Sequence, residues 1–129
     1  MAKSKKAIML IIEDDEVLLR ALYLAFHESD YTIATASDGD TGLKMAERMK
    51  PDIILLDLLL PKMNGFDFLK NIKGDPALKS IPVIVLSNLG DSDNIDKAKK
   101  AGALDFYVKS NTDLATLRDK IDQTLKAVS

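Results

Sequence analysis

Apolar positions in this chain alternate between two rhythms. Short continuous runs, Ala7 to Ile12, Tyr31 to Ala36, Asp52 to Leu56, Ile81 to Leu86 and Leu104 to Val108, have strand length and carry many β-branched or aromatic residues. Three of them (AIMLII, IILL and IPVIVL) lack any period-two alternation, the pattern of strands covered on both faces, and are expected at the centre of a sheet. Between the runs the apolar residues recur at helical spacing: Val17, Leu18, Leu22, Ala25 and Phe26; Leu43, Ala46 and Met49; Phe66, Leu69 and Ile72; Ile95, Ala98 and Ala101; Leu114, Leu117, Ile121 and Leu125. Each set predicts a surface helix with one buried stripe. Gly102 marks the end of the fourth helix, Asn111 or Thr112 the N-cap of the fifth, and Pro51 and Pro82 stand at strand starts, where no central ladder bond is lost. Five repeats of strand then helix imply right-handed crossovers and a parallel sheet with helices on both faces. Residues 1–129 are expected to form a single α/β domain, with no output domain visible.

Composition narrows the function classes. Eighteen Lys and Arg against 20 Asp and Glu give a net charge of −2, without the basic excess that direct nucleic-acid binding uses. The absence of cysteine removes disulfides, thiolate nucleophiles and cysteine-ligated metals. The single histidine, His27, removes a histidine cage; beside Glu28 and off the apolar stripe of the first helix, it reads as an exposed residue and not as a phosphoacceptor. Met1 to Lys6 is basic, but the apolar run behind it ends at Glu13, too soon for a signal peptide or a membrane span. No membrane insertion and a cytoplasmic location are expected.

In an open α/β sheet, ligands bind beyond the carboxyl ends of the strands, near the point where strand order reverses. Glu13-Asp14-Asp15-Glu16 follow the first strand, Asp57 ends the third, Ser87 the fourth and Lys109 the fifth, whereas Ser37 and Asp38 follow an edge strand away from that point. Two carboxylates about 4 Å apart repel by roughly 4 kcal/mol at an effective dielectric near 20, so such a cluster calls for a compensating cation. With only hard oxygen ligands nearby, Mg²⁺ is favoured over zinc or copper, and Mg²⁺ completes its shell with water and phosphate oxygens. The expected guest is therefore a phosphoryl group, with Asp57 as a possible nucleophile, Lys109 as a point charge for its oxygens and Ser87 as a hydrogen-bond donor. Asp15 and Glu16 read better as acids complementing a helix N-terminus.

The set Glu13-Asp14, Asp57, Ser87 and Lys109, with separations of 43, 30 and 22 residues from Asp14 onward and the segment Leu60-Pro61-Lys62-Met63-Asn64-Gly65 after the third strand, resembles the receiver (CheY-like) domain of two-component response regulators. The likeness runs through essentially the whole chain. It implies a flavodoxin-like sheet of order 2-1-3-4-5 with five helices. It also implies a phosphorylatable signalling switch in a two-component or phosphorelay system. Asp57 would take a phosphoryl group from a phosphohistidine on a sensor histidine kinase or a histidine phosphotransfer protein. Such a domain catalyses its own phosphorylation and slow autodephosphorylation and is a signalling unit more than a metabolic enzyme. Asp14 would ligate Mg²⁺ directly, Glu13 would act beside it or through water, and Leu59 would supply a backbone carbonyl. Phe106 falls at the aromatic switch position, with Tyr107 as its outward neighbour. A downstream protein would bind the surface of helix four, strand five and helix five. Leu59 and Leu89, two residues after Asp57 and Ser87, stand where fast self-hydrolysing receivers carry a polar or acidic group, so slow loss of the phosphoryl group is implied.

Two positions depart from the pattern. Ser110 follows Lys109 where these domains commonly have proline after a cis bond. Because a cis bond before a non-proline residue costs ~3 kcal/mol, the loop is expected either to hold that strain or to take a different path. Asn88 replaces a small residue after Ser87 and is expected to crowd or reorient the phosphoryl pocket. Other classes fare worse. A phosphatase of the haloacid-dehalogenase type would need a second Asp where Leu59 stands and a cap segment to hold its substrate. A flavodoxin would bring its phosphate against Glu13 to Glu16, and a phosphate-independent scaffold would have no use for the intact acids, Ser87 and Lys109.

Overall fold

The computed structural model describes residues 6–26 and 31–128; His27 and the first five residues lie outside the described residues. Strands β1 (Ala7–Ile12), β2 (Tyr31–Ala36), β3 (Ile53–Leu56), β4 (Val83–Ser87) and β5 (Asp105–Val108) alternate with helices α1 (Glu16–Phe26), α2 (Gly39–Met49), α3 (Gly65–Gly74), α4 (Ser92–Lys100) and α5 (Leu114–Val128). All neighbouring strands pair in parallel, in the order β2-β1-β3-β4-β5, as the resemblance implied.

Because side chains alternate across a strand, each central run splits between two layers. Leu10, Ile12, Ile54, Leu56, Val83 and Val85 join Ala46 of α2, Phe68, Leu69 and Ile72 of α3 and Ala98 of α4 in one core cluster. Met9, Ile11, Ile53, Leu55, Ile84 and Leu86 join Leu22 and Phe26 of α1 and Leu117 and Ile121 of α5 in the other. Burying each such aliphatic or phenyl side chain contributes ~1.5–3 kcal/mol, and the two layers clamp the sheet between three helices and two. Among the described residues no helix is long and apolar enough to cross a membrane.

Several boundaries shift. β3 begins at Ile53; Asp52 is still tied to β1, its N–H donating to the Ile8 carbonyl at 2.8 Å, but the return bond from the Ile8 N–H goes to the Asp52 carboxylate at 2.7 Å and not to a main-chain carbonyl. β4 begins at Val83, after Pro82, and β5 at Asp105. Val17 is 81% exposed, so the buried stripe of α1 is carried by Leu18, Leu22, Ala25 and Phe26 without it. The cap of α5 is Asp113, whose carboxylate accepts the Thr116 N–H at 2.8 Å. Asn111 ends a 3₁₀ turn over Lys109–Asn111, and the Thr112 hydroxyl donates to the Val108 carbonyl at 2.8 Å. Gly102, at φ 113°, follows α4 in a conformation that suits glycine.

Candidate functional site

A parallel sheet carries all its strand C-termini to one rim, so the residues just past β1, β3, β4 and β5 meet there. Backbone bonds fix the first two: the Glu13 N–H donates to the Ala36 carbonyl and the Asp57 N–H to the Ile12 carbonyl, each at 3.0 Å. Pairing of Leu56 with Val85 sets Ser87 one residue further along the rim than Asp57, and Ser87 itself pairs with Val108, immediately before Lys109. The start of α3 closes on the same point. A Cβ added to Gly65 would lie 2.6 Å from the Asp57 carbonyl oxygen, so this approach needs glycine.

Glu13 and Asp57 are buried and Asp14 is exposed, and each offers one carboxylate oxygen within 4.8 Å of the others. The Lys109 ammonium bridges the two buried acids, 2.8 Å from Glu13 Oε1 and 2.9 Å from Asp57 Oδ2. Each acid also accepts a backbone donor: Glu13 Oε2 from the Asp15 N–H at 3.0 Å, Asp57 Oδ1 from the Leu59 N–H at 3.3 Å. Burial raises the Glu13 pKa above its ordinary value, more than the Lys109 and Asp15 bonds lower it. For Lys109 burial acts downward, but the hydrogen bonds and charges of Glu13 and Asp57 outweigh it and hold the amine above its usual range.

The neighbouring acids separate by role. Asp15 caps α1, its Oδ1 accepting the Val17 and Leu18 N–H groups at 3.0 and 3.3 Å. Glu16 is the first residue of that helix, and Asp38 caps α2 by accepting the Thr41 N–H at 2.7 Å. Ser87 is fully buried, and its Oγ accepts the Leu89 N–H at 3.2 Å. The Leu59 side chain is 57% exposed, whereas Leu89 packs against the first core cluster.

Phe106 packs on that same cluster. Tyr107 is not an outward residue: it covers the opposite cluster, and its hydroxyl donates to Asp105 at 3.0 Å, because adjacent side chains of β5 take opposite faces of a sheet covered on both.

The two departures from the pattern meet each other. Asn88 is turned outward to the β5–α5 loop, where its Oδ1 accepts the Ser110 N–H at 3.1 Å. The loop after Lys109 takes the different path, with every described peptide bond trans and the chain entering its 3₁₀ turn. A proline at 110 would have no N–H to give. Sequence reading flagged both residues but not their link, for which the only signal was that two exceptional positions follow neighbouring strands.

The family model for the response regulator receiver domain matches residues 9–122. The response regulator PleD of Caulobacter vibrioides is 37% identical over 108 residues, covering 84% of this chain and 24% of that protein. Curated relatives of this kind are longer, and the chain spans about a quarter to a half of their length. A crystal structure of a response regulator from Chloroflexus aurantiacus superposes with a TM-score of 0.88 at 26% identity, covering 95% of this chain and 99% of that one. The Mn²⁺-bound form of the response regulator Rcp1 superposes with a TM-score of 0.77 at 26% identity, over 87% of each chain. With the family model spanning the five-stranded fold and its rim of acids, serine and lysine, this chain belongs to the response regulator receiver domain family.

Proposed function

We propose that the domain is a phosphorylation-controlled switch of a two-component or phosphorelay system, with Asp57 as the phosphoacceptor. The observation that carries this reading is the Lys109 ammonium held between Asp57 and Glu13 beside the exposed carboxylate of Asp14. A lone strand-end aspartate could cap a loop. One that shares a half-buried ammonium and two further carboxylates is arranged for anionic chemistry.

Asp57 Oδ attacks the phosphorus of a phosphohistidine on a sensor histidine kinase or histidine phosphotransfer protein. The new O–P bond replaces the N–P bond, and the imidazole leaves with the electron pair of the broken bond. Lys109 is within reach of the acquired phosphoryl oxygens, and Ser87, whose Oγ accepts the Leu89 N–H, still has its own proton to donate. Glu13, Asp14 and Asp57, with the Leu59 backbone carbonyl, are the ligands we assign to Mg²⁺, and the similarity to Rcp1, solved in an Mn²⁺-bound form, supports divalent-ion binding by this fold. When bound, the ion offsets the charge of the acids and of the incoming phosphoryl oxygens. Engagement of Ser87 then biases Phe106 and the α4–β5–α5 surface toward binding a downstream protein. The domain so read works in the cytoplasm without direct nucleic-acid contact, and catalyses its own phosphorylation and slow dephosphorylation.

The test is incubation with acetyl phosphate and Mg²⁺, read by intact mass. The wild type is expected to gain the mass of one phosphoryl group and Asp57→Asn to gain none. Equal uptake by the variant would overturn the assignment.

A further inference from the structure

β4 and β5 stop pairing at Ser87 and Val108, and the two chains then leave the sheet as separate loops. Both side chains assigned to phosphoryl oxygens sit at this exit, Ser87 on the last rung and Lys109 one residue past it. What joins the loops beyond the last rung is a side chain. Asn88 Oδ1 accepts the Ser110 N–H at 3.1 Å, and only the oxygen end of an asparagine amide can take that proton. Gly90 seats the same loop on β5, since an added Cβ would come 2.5 Å from Val108 Cγ2. The link therefore joins the residue after Ser87 to the residue after Lys109, across 22 positions of sequence.

We infer that Asn88 is a positioning residue for phosphoryl transfer: by holding the Ser110 N–H it fixes the Ser87 hydroxyl and the Lys109 amine relative to one another. The inference rests on the reading of Asp57 as phosphoacceptor. Lysine carries a long, many-rotamer side chain, so once its present partners are exchanged for phosphoryl oxygens, its reach depends on where the backbone at 109 is held. Ser87 has one short bond of reach and depends still more on its backbone. Small misplacements of such groups cost rate without costing the fold. Among the described residues the Asn88 side chain is hydrogen-bonded to Ser110 and not to Glu13, Asp14 or Leu59, so its action falls on the serine and lysine side of the site.

The full chain is compared as wild type, Asn88→Ala, Ser110→Ala, Ser110→Pro and Asn88→Ala/Ser110→Pro. Three quantities are read: exchange of the Ser110 amide where it exists, Mg²⁺ affinity of the unphosphorylated protein, and the initial rate of phosphorylation by acetyl phosphate at saturating Mg²⁺. Asn88→Ala is expected to speed Ser110 exchange and slow phosphorylation by about three- to tenfold while leaving Mg²⁺ affinity unchanged. Ser110→Ala, which keeps the N–H, is expected to behave as wild type. In the Ser110→Pro background, where the donor is gone, Asn88→Ala is expected to have no further effect. Equal Ser110 exchange in wild type and Asn88→Ala overturns the link itself. Faster exchange with an unchanged phosphorylation rate, or a fall in Mg²⁺ affinity matching the fall in rate, overturns the positioning role. A wild type that takes up no phosphoryl group removes the functional reading and this inference with it, and the exchange result still reports on the link. If Ser110→Pro fails to fold, the comparison of Asn88→Ala with Ser110→Ala decides.

Discussion

Lys109 and Glu13 are joined at 2.8 Å although β5 and β1 are separated in the sheet by β3 and β4. The lysine stem crosses the rim and brings the ammonium to two carboxylates at once, so the site holds its own counter-ion. Removing that ion while leaving the acids buried is costly, because uncompensated charges then remain out of water. Lys109→Met is expected to lower the unfolding free energy by about 3 kcal/mol in metal-free buffer, with part of the loss recovered on adding Mg²⁺. Urea denaturation with and without Mg²⁺ measures both. A variant as stable as wild type in metal-free buffer would show that the pair contributes nothing net.

Much of this arrangement was legible in the sequence because it follows from topology. Uninterrupted apolar runs mark β1, β3 and β4 as central, and a parallel sheet then carries Glu13, Asp57, Ser87 and Lys109 to one rim whatever the loops do. Where a reading failed, the deciding bond lay far away in sequence or outside the periodic pattern. At the start of β3 the Ile8 N–H bonds the Asp52 carboxylate, 44 residues away, in place of a main-chain carbonyl. Val17 matches a helical spacing but falls outside the arc of α1 that faces the sheet. Asp113 outcompetes Asn111 and Thr112 as a cap because those two are taken up by the turn after β5. The Asn88 to Ser110 link joins two aperiodic loops, and no spacing rule reaches it.

The acid run after β1 offers a sharper test of roles. Asp14 belongs to the carboxylate trio, while Asp15 spends its side chain on the first turn of α1. Asp14→Asn is expected to weaken Mg²⁺ binding about tenfold or more with little change in stability. Asp15→Ala is expected to cost about 1 kcal/mol of stability, the usual loss for a removed N-cap, and to leave Mg²⁺ affinity nearly unchanged. A metal titration and a denaturation curve on each variant give the ranking. The reverse order would move the metal ligand one residue along the chain.

Tyr107 gives a pH prediction away from the acids. Burial first, and then its hydrogen bond and proximity to Asp105, push its pKa from 10.0 up to about 12. The folded state thus favours the protonated phenol more than the unfolded chain does. The associated stability is fully present below about pH 10 and is lost as pH rises from 10 toward 12. Titration of tyrosinate absorbance, wild type minus Tyr107→Phe, should show this midpoint near 12, and Asp105→Asn should bring it down. A difference titration centred near 10 would contradict the packing described for β5.

On the proposed reading of Asp57, the lifetime of the phosphorylated state is expected to turn on Leu59. Its side chain stands 57% exposed two residues after Asp57, at the mouth of the site, and cannot hydrogen-bond to or orient a water approaching the phosphorus. Leu89 is equally inert but packs against the first core cluster, so an acid there would bury a charge and report on folding instead of hydrolysis. The clean substitution is therefore Leu59→Asn, which places an amide on the solvent side without disturbing the core. Phosphorylated wild type is expected to decay slowly once the phosphodonor is removed, and Leu59→Asn about three- to tenfold faster, the range that orienting one reactant commonly supplies. Decay is followed by intact mass after rapid desalting. Rapid loss from the wild type, or identical decay in the variant, would show that water reaches the phosphoryl group by a route that Leu59 does not border.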